Sequence, residues 1–378
     1  NSYFPRSIVM SVLWEILGWV FAVIFGLLTI SMLLMKNWIQ ALLLFIVVLL
    51  VLPPVNSMIK SQLGLNIHPL VRIVLILGLL FLFSRLLLGA GGESIYKSPE
   101  VKAQFMEIYD EKMEEWPVPY GDIYLDTRYG KVHVIASGPE DGPAMLLLHA
   151  SGVSGWSWKF NIEELSREYR TYAIDLIGDA GKSEFASLDN IMKDGHDQAE
   201  LYREISENLD VDKAFVVGAS EGGFIGSNYA IDYPERIEKL VLLGPMGYAG
   251  ATQSVLRIML AQFFPIKPIQ ESTFSWAFSD SPELENEFGE WFQLIMSGIK
   301  PAKVTPLPFS VEQRQSIQVP VLFVFGERDN LVGDPEKARS LVQDIPDVRV
   351  EVVDAGHLMG GELPEQVNGL ILDFFKSD

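Results

Sequence analysis

The chain of 378 residues contains no cysteine. That absence excludes disulfides, thiol catalysis and cysteine-ligated metals, although it leaves the compartment open. Basic residues are scarce: 29 Lys and Arg stand against 49 Asp and Glu, giving a formal net charge of −20. Nucleic-acid binding needs a basic footprint, so no nucleic-acid partner is expected. Histidine is scarcer still, with His68, His133, His149, His196 and His357 the full set. Few imidazoles are therefore available as a general base. No internal repeat or low-complexity linker is visible, and neither a metal nor a cofactor is expected.

Long apolar runs, by contrast, are present. Residues 8–35 are almost continuously apolar, interrupted by Glu15. Residues 38–52 form a second run that ends at Pro53-Pro54, and residues 68–90 a third, opened by Pro69. A bilayer core of about 30 Å accepts runs of this kind. A cleaved signal peptide would supply one short run instead of three. The expectation is an all-α transmembrane domain over residues 1–92, integral to the cell membrane and with the lipid bilayer as a partner. Trp14, Trp19 and Trp38 suit the membrane interfaces, and Arg72 and Arg85 can reach them along their aliphatic stems. Glu15 is read as lying at headgroup level, with a functional carboxylate at depth as the alternative. Arg6, Lys60 and Arg72 on one side balance Lys36, Arg85 and Lys97 on the other, so the positive-inside rule assigns no orientation.

Residues 1–92 carry Arg6, Lys36, Lys60, Arg72 and Arg85 against Glu15 alone. The rest of the chain is thus even more acidic than the whole. Anionic lipid would repel such a domain, which makes a covalent tether physically sensible.

Residues 93–120 read as a connector. Ser98-Pro99-Glu100 is a helix start, and Val101, Phe105, Ile108, Met113 and Trp116 supply an apolar face before Pro117 and Pro119. From residue 121 to 378, strand-like and helix-like segments alternate. Segments 123–125 and 131–136 read as an antiparallel hairpin. Segments 144–148, 171–175, 214–217, 240–243, 321–325 and 348–353 read as further strands. The fold class expected is α/β, a mainly parallel sheet with helices on its faces. Residues 245–319 break the alternation and are read as a lid, rich in Phe263, Phe264, Phe274, Trp276, Phe278, Trp291 and Phe292.

Between the strand 214–217 and a helical stretch from Gly223 lies Gly218-Ala219-Ser220-Glu221-Gly222. A G-x-S-x-G at a strand-to-helix turn is a nucleophile elbow. Small flanking residues let the two elements approach while the serine is held in a strained conformation. In such folds the order is Ser, acid, His, and only His357 follows Ser220. The acid should end the preceding strand, where Gly326-Glu327-Arg328-Asp329 follows the apolar run 321–325. Asp329 is the candidate, with Glu327 and Asp334 as alternatives.

Ser220 would attack a carbonyl carbon, His357 would move the proton, and Asp329 would fix the imidazole tautomer. The oxyanion would need two backbone donors. Glu221 N–H, next to the nucleophile, and Ser151 N–H, in the loop His149-Ala150-Ser151-Gly152, are the candidates. The Ser151 hydroxyl is a further donor to consider. His149 is read as a brace for that loop, Asp175 as structural, and the Glu221 carboxylate as pointing away from the reacting centre. A base must be neutral to act, so activity should fall on the acid side.

Residues from about 109 to 375 resemble bacterial α/β-hydrolases, and most nearly the carboxylesterases of the naproxen-esterase type. The resemblance rests on Glu115-Trp116-Pro117-Val118-Pro119-Tyr120, Leu147-Leu148-His149-Ala150-Ser151-Gly152, Tyr172-Ala173-Ile174-Asp175-Leu176-Ile177-Gly178-Asp179-Ala180-Gly181-Lys182-Ser183, Tyr233-Pro234-Glu235-Arg236-Ile237 and Ala355-Gly356-His357-Leu358. It implies an α/β-hydrolase fold with a helical lid and hydrolysis of carboxylic esters. Ala150 departs from the family's usual His-Gly pair. Serine at position 220 disfavours the dehalogenase and epoxide-hydrolase branches, which use a carboxylate nucleophile. The aromatic lid and the tether suggest a hydrophobic, lipid-like ester. A thioesterase or deacylase, or an inactive membrane-tethered binding module, is the alternative.

Overall fold

The computed structural model describes residues 6–34, 38–53, 55, 58, 61–62, 69–87, 94–248, 267–277, 281–300 and 302–377. Lys36, Lys60, His68, Phe263, Phe264 and Phe278 lie outside the described residues, as do the side chains of Arg6, Trp14 and Arg85. The chain divides into two compact units: Asn1–Ala90 with Met259–Ile269, and Gly91–Ile258 with Gln270–Asp378.

The first unit contains helices Arg6–Leu34, Trp38–Val51 and Pro69–Leu87, close to the three apolar runs. Met32, Ala41 and Leu44 are buried together, with Phe25, Leu28 and Leu80 against them. Other apolar side chains stay exposed, among them Val23 and Ile30 at 58% and 56%. Among the described residues one helical segment, Glu15–Leu33, is long and apolar enough to cross a bilayer. At 1.5 Å per residue it reaches about 28 Å. Trp38–Val51 has 14 residues and reaches about 21 Å, short of the ~30 Å core. Val71–Leu80 is the apolar stretch with described side chains inside the 19-residue helix Pro69–Leu87. Of the three expected spans, Glu15–Leu33 meets both conditions among the described residues and Trp38–Val51 falls short in length. Glu15 is exposed and opens the long one.

In the second unit the connector helix is Pro99–Glu114. Ser98 caps it, its side chain accepting from Val101 N–H at 3.3 Å. Phe105, Ile108, Tyr109 and Met113 are buried in the same core as the sheet. The apolar face of this helix is thus satisfied within its own unit.

The strands are β1 Tyr120–Thr127, β2 Gly130–Ser137, β3 Ala144–Leu148, β4 Arg170–Ile174, β5 Glu184–Phe185, β6 Ala214–Ala219, β7 Ile237–Leu243, β8 Val321–Gly326 and β9 Val348–Val353. They form one sheet in the order β1-β2-β4-β3-β6-β7-β8-β9, with β5 against β2. β1 and β2 make the expected antiparallel hairpin. The pairs β3–β4, β3–β6, β6–β7, β7–β8 and β8–β9 are all parallel. β8 is buried along its whole length, as its unbroken apolar sequence requires. β5 was not expected, because two residues are too few to show a period. The sheet grows outward in both directions from β3, so the order switches between β3 and β6. A crevice forms outside the carboxyl ends at such a point. The loops carrying His149 and Ser220 leave the sheet there.

Asp175 follows β4 and holds its end together. Its carboxylate accepts from Gly155 N–H at 2.7 Å and Lys182 N–H at 2.8 Å, and pairs with His133 Nδ1 at 2.9 Å. His133 Nε2 faces Asp122 at 2.7 Å. Burial alone would raise the Asp175 carboxyl, yet the His133 hydrogen bond and charge draw it below the ordinary carboxylate range. Burial would lower the His133 imidazole, and the two carboxylates outweigh it and hold it raised. The depressed carboxyl contributes stability above its unfolded pKa, lost as pH falls through the folded value. The raised imidazole contributes below its unfolded pKa, lost as pH rises through the folded value. Asp175→Ala should cost roughly 3–5 kcal/mol near neutral pH, by stranding a buried partner. Chemical unfolding of both proteins checks this, and the difference should shrink toward pH 3. A difference that stays constant with pH would count against the pairing.

Candidate active site

The elbow is built from backbone constraints. Ser220 has φ 51° and ψ −109°, immediately before helix Glu221–Asp232. Among the described residues the non-glycine positive φ values occur at Asp210 and Ser220. A serine in that region costs of order 1–3 kcal/mol and persists only where its neighbours over-determine it. Here they do. Ser220 N–H donates to Leu243 O at 2.9 Å, and Ser220 O accepts from Phe224 and Met246 N–H at 3.1 and 3.0 Å. A Cβ on Gly222 would meet Leu148 O at 2.2 Å, so only glycine lets the helix start against β3. The helix starts at Glu221, two residues before the expected Gly223, because Ser220 itself occupies the cap position.

Asp329 and His357 arrive from the ends of β8 and β9. His357 Nδ1 lies 2.8 Å from Asp329 Oδ2. The other carboxylate oxygen accepts from Leu331 and Val332 N–H at 2.8 and 2.9 Å. Both acceptor faces of Asp329 are thereby committed. His357 Nδ1 donates the proton, which leaves Nε2 as the basic nitrogen. The two loops touch because Gly326 has no side chain: a Cβ there would lie 2.4 Å from Ala355 O. The loop bearing His357 is pinned by Gly356 N–H donating to Glu362 at 2.7 Å. Glu327 and Asp334, the other candidate acids, go elsewhere. Glu327 is exposed, and Asp334 caps helix Pro335–Val342 by accepting from Glu336 N–H.

Ser220, Asp329 and His357 are all buried, at 2%, 4% and 7% exposure. Leu243, which accepts from Ser220, is followed by Gly244. A Cβ on Gly244 would sit 3.1 Å from Asp329 Oδ2 and 3.4 Å from His357 Nδ1. The serine and the His–Asp pair therefore converge on the same strand end. Beside them opens a small cleft, lined in part by Ala219, Leu243, His357, Trp158, Phe160 and Phe288.

His149 braces its loop, as expected. Its Nε2 accepts from Leu176 N–H at 2.9 Å and its Nδ1 donates to Ala150 O at 2.8 Å. Burial lowers its basicity and keeps it neutral. The loop's left-handed residue is Gly152, with φ 74°. Ala150 has no positive φ, so its Cβ brings no backbone strain. Gly222 N–H donates to His149 O at 3.1 Å, joining this loop to the elbow. The Ser151 hydroxyl is turned to Lys303 Nζ at 2.8 Å. The Glu221 carboxylate also turns to Lys303, at 2.9 Å, and lines a separate small cavity with Asp179.

Among the lid aromatics, Trp291 packs on Phe105 and Trp156, with ring centroids 4.9 and 5.7 Å apart. Phe274 packs on Phe292 at 4.8 Å. Among the described lid aromatics the one that lines the cleft is Phe288, which was not singled out in the sequence. It lies on the buried face of helix Pro282–Gly298 with Leu284 and Trp291. That i, i+4, i+7 spacing was the available signal. Trp158 and Phe160, in the 3₁₀ turn Gly155–Phe160, were also missed.

The α/β hydrolase family profile matches residues 145–370. The chain belongs to the α/β-hydrolase family. The carboxylesterase YbfK of Bacillus subtilis is 33% identical over 290 residues, spanning 74% of this chain and 96% of that protein. An uncharacterised carboxylesterase, nap, from the same organism is 31% identical over 73% of this chain and 93% of its own length. The crystal structure of naproxen esterase (carboxylesterase NP) from B. subtilis superposes with a TM-score of 0.69 at 30% identity, covering 74% of this chain and all of that one. Within this α/β-hydrolase the profile's range takes in strands β3 to β9, the elbow and the loops bearing Asp329 and His357.

Proposed function

We propose that the chain is a serine hydrolase of hydrophobic carboxylic esters, held at a membrane by its N-terminal helices. The observation that carries the reading is the 2.8 Å His357–Asp329 pair beside a serine fixed at φ 51°. A serine in a loose loop would need neither the strain nor the dyad.

Ser220 Oγ attacks the ester carbonyl carbon while His357 Nε2 takes its proton. Asp329 stabilises the imidazolium so formed. The carbonyl oxygen becomes an oxyanion and accepts from the N–H groups of Glu221 and Ser151. The N-terminus of helix Glu221–Asp232 adds its positive end. Collapse expels the alcohol, protonated by His357, and leaves an acyl-enzyme on Ser220. Water, deprotonated by His357, repeats the sequence and releases the acid.

Trp158, Phe160, Phe288 and Leu243 supply an apolar wall suited to an alkyl or aryl group. The exposed apolar side chains on Glu15–Leu33 support burial of that helix in lipid. Hydrolysis of p-nitrophenyl esters from acetyl to decanoyl by the detergent-solubilised chain tests the substrate class. kcat/KM should rise by about tenfold or more from acetyl to mid-length acyl groups, since each buried methylene is worth about 0.8 kcal/mol. A flat profile would overturn the hydrophobic-ester reading.

A further inference from the structure

Lys303 is a partly buried ammonium beside the proposed oxyanion donors, and the triad chemistry does not use it. Its Nζ lies 2.5 Å from Asp179 Oδ2, 2.9 Å from Glu221 Oε2 and 2.8 Å from Ser151 Oγ. Glu221 and Ser151 are the two residues whose N–H groups are assigned to the oxyanion. Asp179 Oδ2 also accepts from Gly152 N–H at 3.0 Å, one residue beyond Ser151. One cation thus joins both donor-bearing segments, by a direct contact to each and a second route through Asp179.

We propose that Lys303 is a positioning residue for ester hydrolysis, fixing the Glu221 and Ser151 segments at the spacing an oxyanion requires. The proposal rests on the oxyanion assignment made above. Burying two carboxylates against one ammonium is costly, and apolar residues of similar volume would fill the space without that cost. The arrangement makes sense if it sets geometry, because an oxyanion hole works only when its donors are placed before charge develops. Burial alone would lower the Lys303 ammonium, but Asp179 and Glu221 outweigh it and hold the group raised and charged.

Lys303 is itself delivered by a held segment. Lys97 N–H donates to Gly298 O at 2.9 Å, and Lys300 N–H to Ile95 O at 2.7 Å. The end of the lid is thereby stitched to the connector just before Lys303. Removing the ammonium would also leave Asp179 and Glu221 facing each other beside the developing oxyanion, opposing the same charge.

The test compares Lys303→Met, the double variant Lys303→Met/Glu221→Gln and Ser220→Ala with wild type in the full detergent-solubilised chain, using p-nitrophenyl butyrate. Lys303→Met should lower kcat by about 10²-fold, the scale of a lost oxyanion donor, with KM changed less than about threefold. The double variant should recover about tenfold of that loss, because one of two uncompensated carboxylates is gone. If the methionine variant does not fold, Lys303→Gln should show the same fall in kcat. A wild-type kcat in Lys303→Met, with Ser220→Ala inactive, overturns this inference alone. So does a loss that falls on KM, or one the second substitution does not relieve. Persistent hydrolysis by Ser220→Ala overturns this inference and the functional reading together.

Discussion

Ser220→Ala should lower kcat for p-nitrophenyl butyrate by about 10⁴–10⁶-fold while the protein stays folded. The substitution removes one oxygen atom and no backbone contact. The hydrogen bonds that hold the elbow use Ser220 N–H and C=O, which alanine retains. What disappears is the nucleophile, and with it the covalent route. The residual rate would reflect substrate binding and the oxyanion donors, acting on water instead of the serine. Steady-state kinetics beside far-UV circular dichroism checks the outcome. A variant that keeps more than about a tenth of wild-type kcat would remove Ser220 from the mechanism, since loss of a true nucleophile costs orders of magnitude more.

Asp329→Asn should cost about 10⁴-fold in kcat, for a reason readable from its hydrogen bonds. Oδ1 accepts from two backbone N–H groups, Leu331 and Val332, and Oδ2 accepts from His357. An asparagine has one acceptor end and one donor end. If the amide oxygen faces the two backbone donors, the NH₂ faces His357 Nδ1. The imidazole must then place its proton on Nε2, which is the wrong tautomer for a base. The opposite flip points the NH₂ at two N–H donors and destabilises the loop. Either way KM should change little while kcat collapses, because the ground state binds through the apolar wall. A KM effect without a kcat effect would contradict the role of Asp329.

The elbow serine and the residues proposed as base and acid were legible because each is fixed by local constraint or by order. The elbow needs small residues at set offsets from the serine, and Gly218 and Gly222 supply them. His357 was the single histidine after Ser220. Asp329 was less certain in the sequence, where Glu327 and Asp334 stand close by. What separates them is backbone geometry: Asp334 is used by its own helix, and Asp329 faces a pair of amides. The strands were legible from their apolar runs, and β5 was not, being two residues long.

Lys303 was hidden because its partners are remote. It lies 124 residues from Asp179 and 82 from Glu221, and no local period announces such a contact. In the sequence Glu221 stood alone as a charge beside the nucleophile. Its compensation becomes visible only when the end of the lid returns to the sheet. Phe288 was passed over for a related reason: the aromatic count of the lid says little until the helix face is known. The N-terminal runs were legible as helices. Glu15–Leu33 has the reach of a span, and Trp38–Val51 is shorter.

The central claim is that hydrolysis proceeds through a covalent acyl group on Ser220. Trapping that intermediate tests it most directly. The full chain, incubated with a fluorophosphonate or acid-quenched during turnover of p-nitrophenyl butyrate, would be digested and mapped by mass spectrometry. The account predicts one adduct, on Ser220, absent from Ser220→Ala and slower to form in Asp329→Asn. An adduct on another residue, or undiminished hydrolysis in protein that never labels at Ser220, would contradict it.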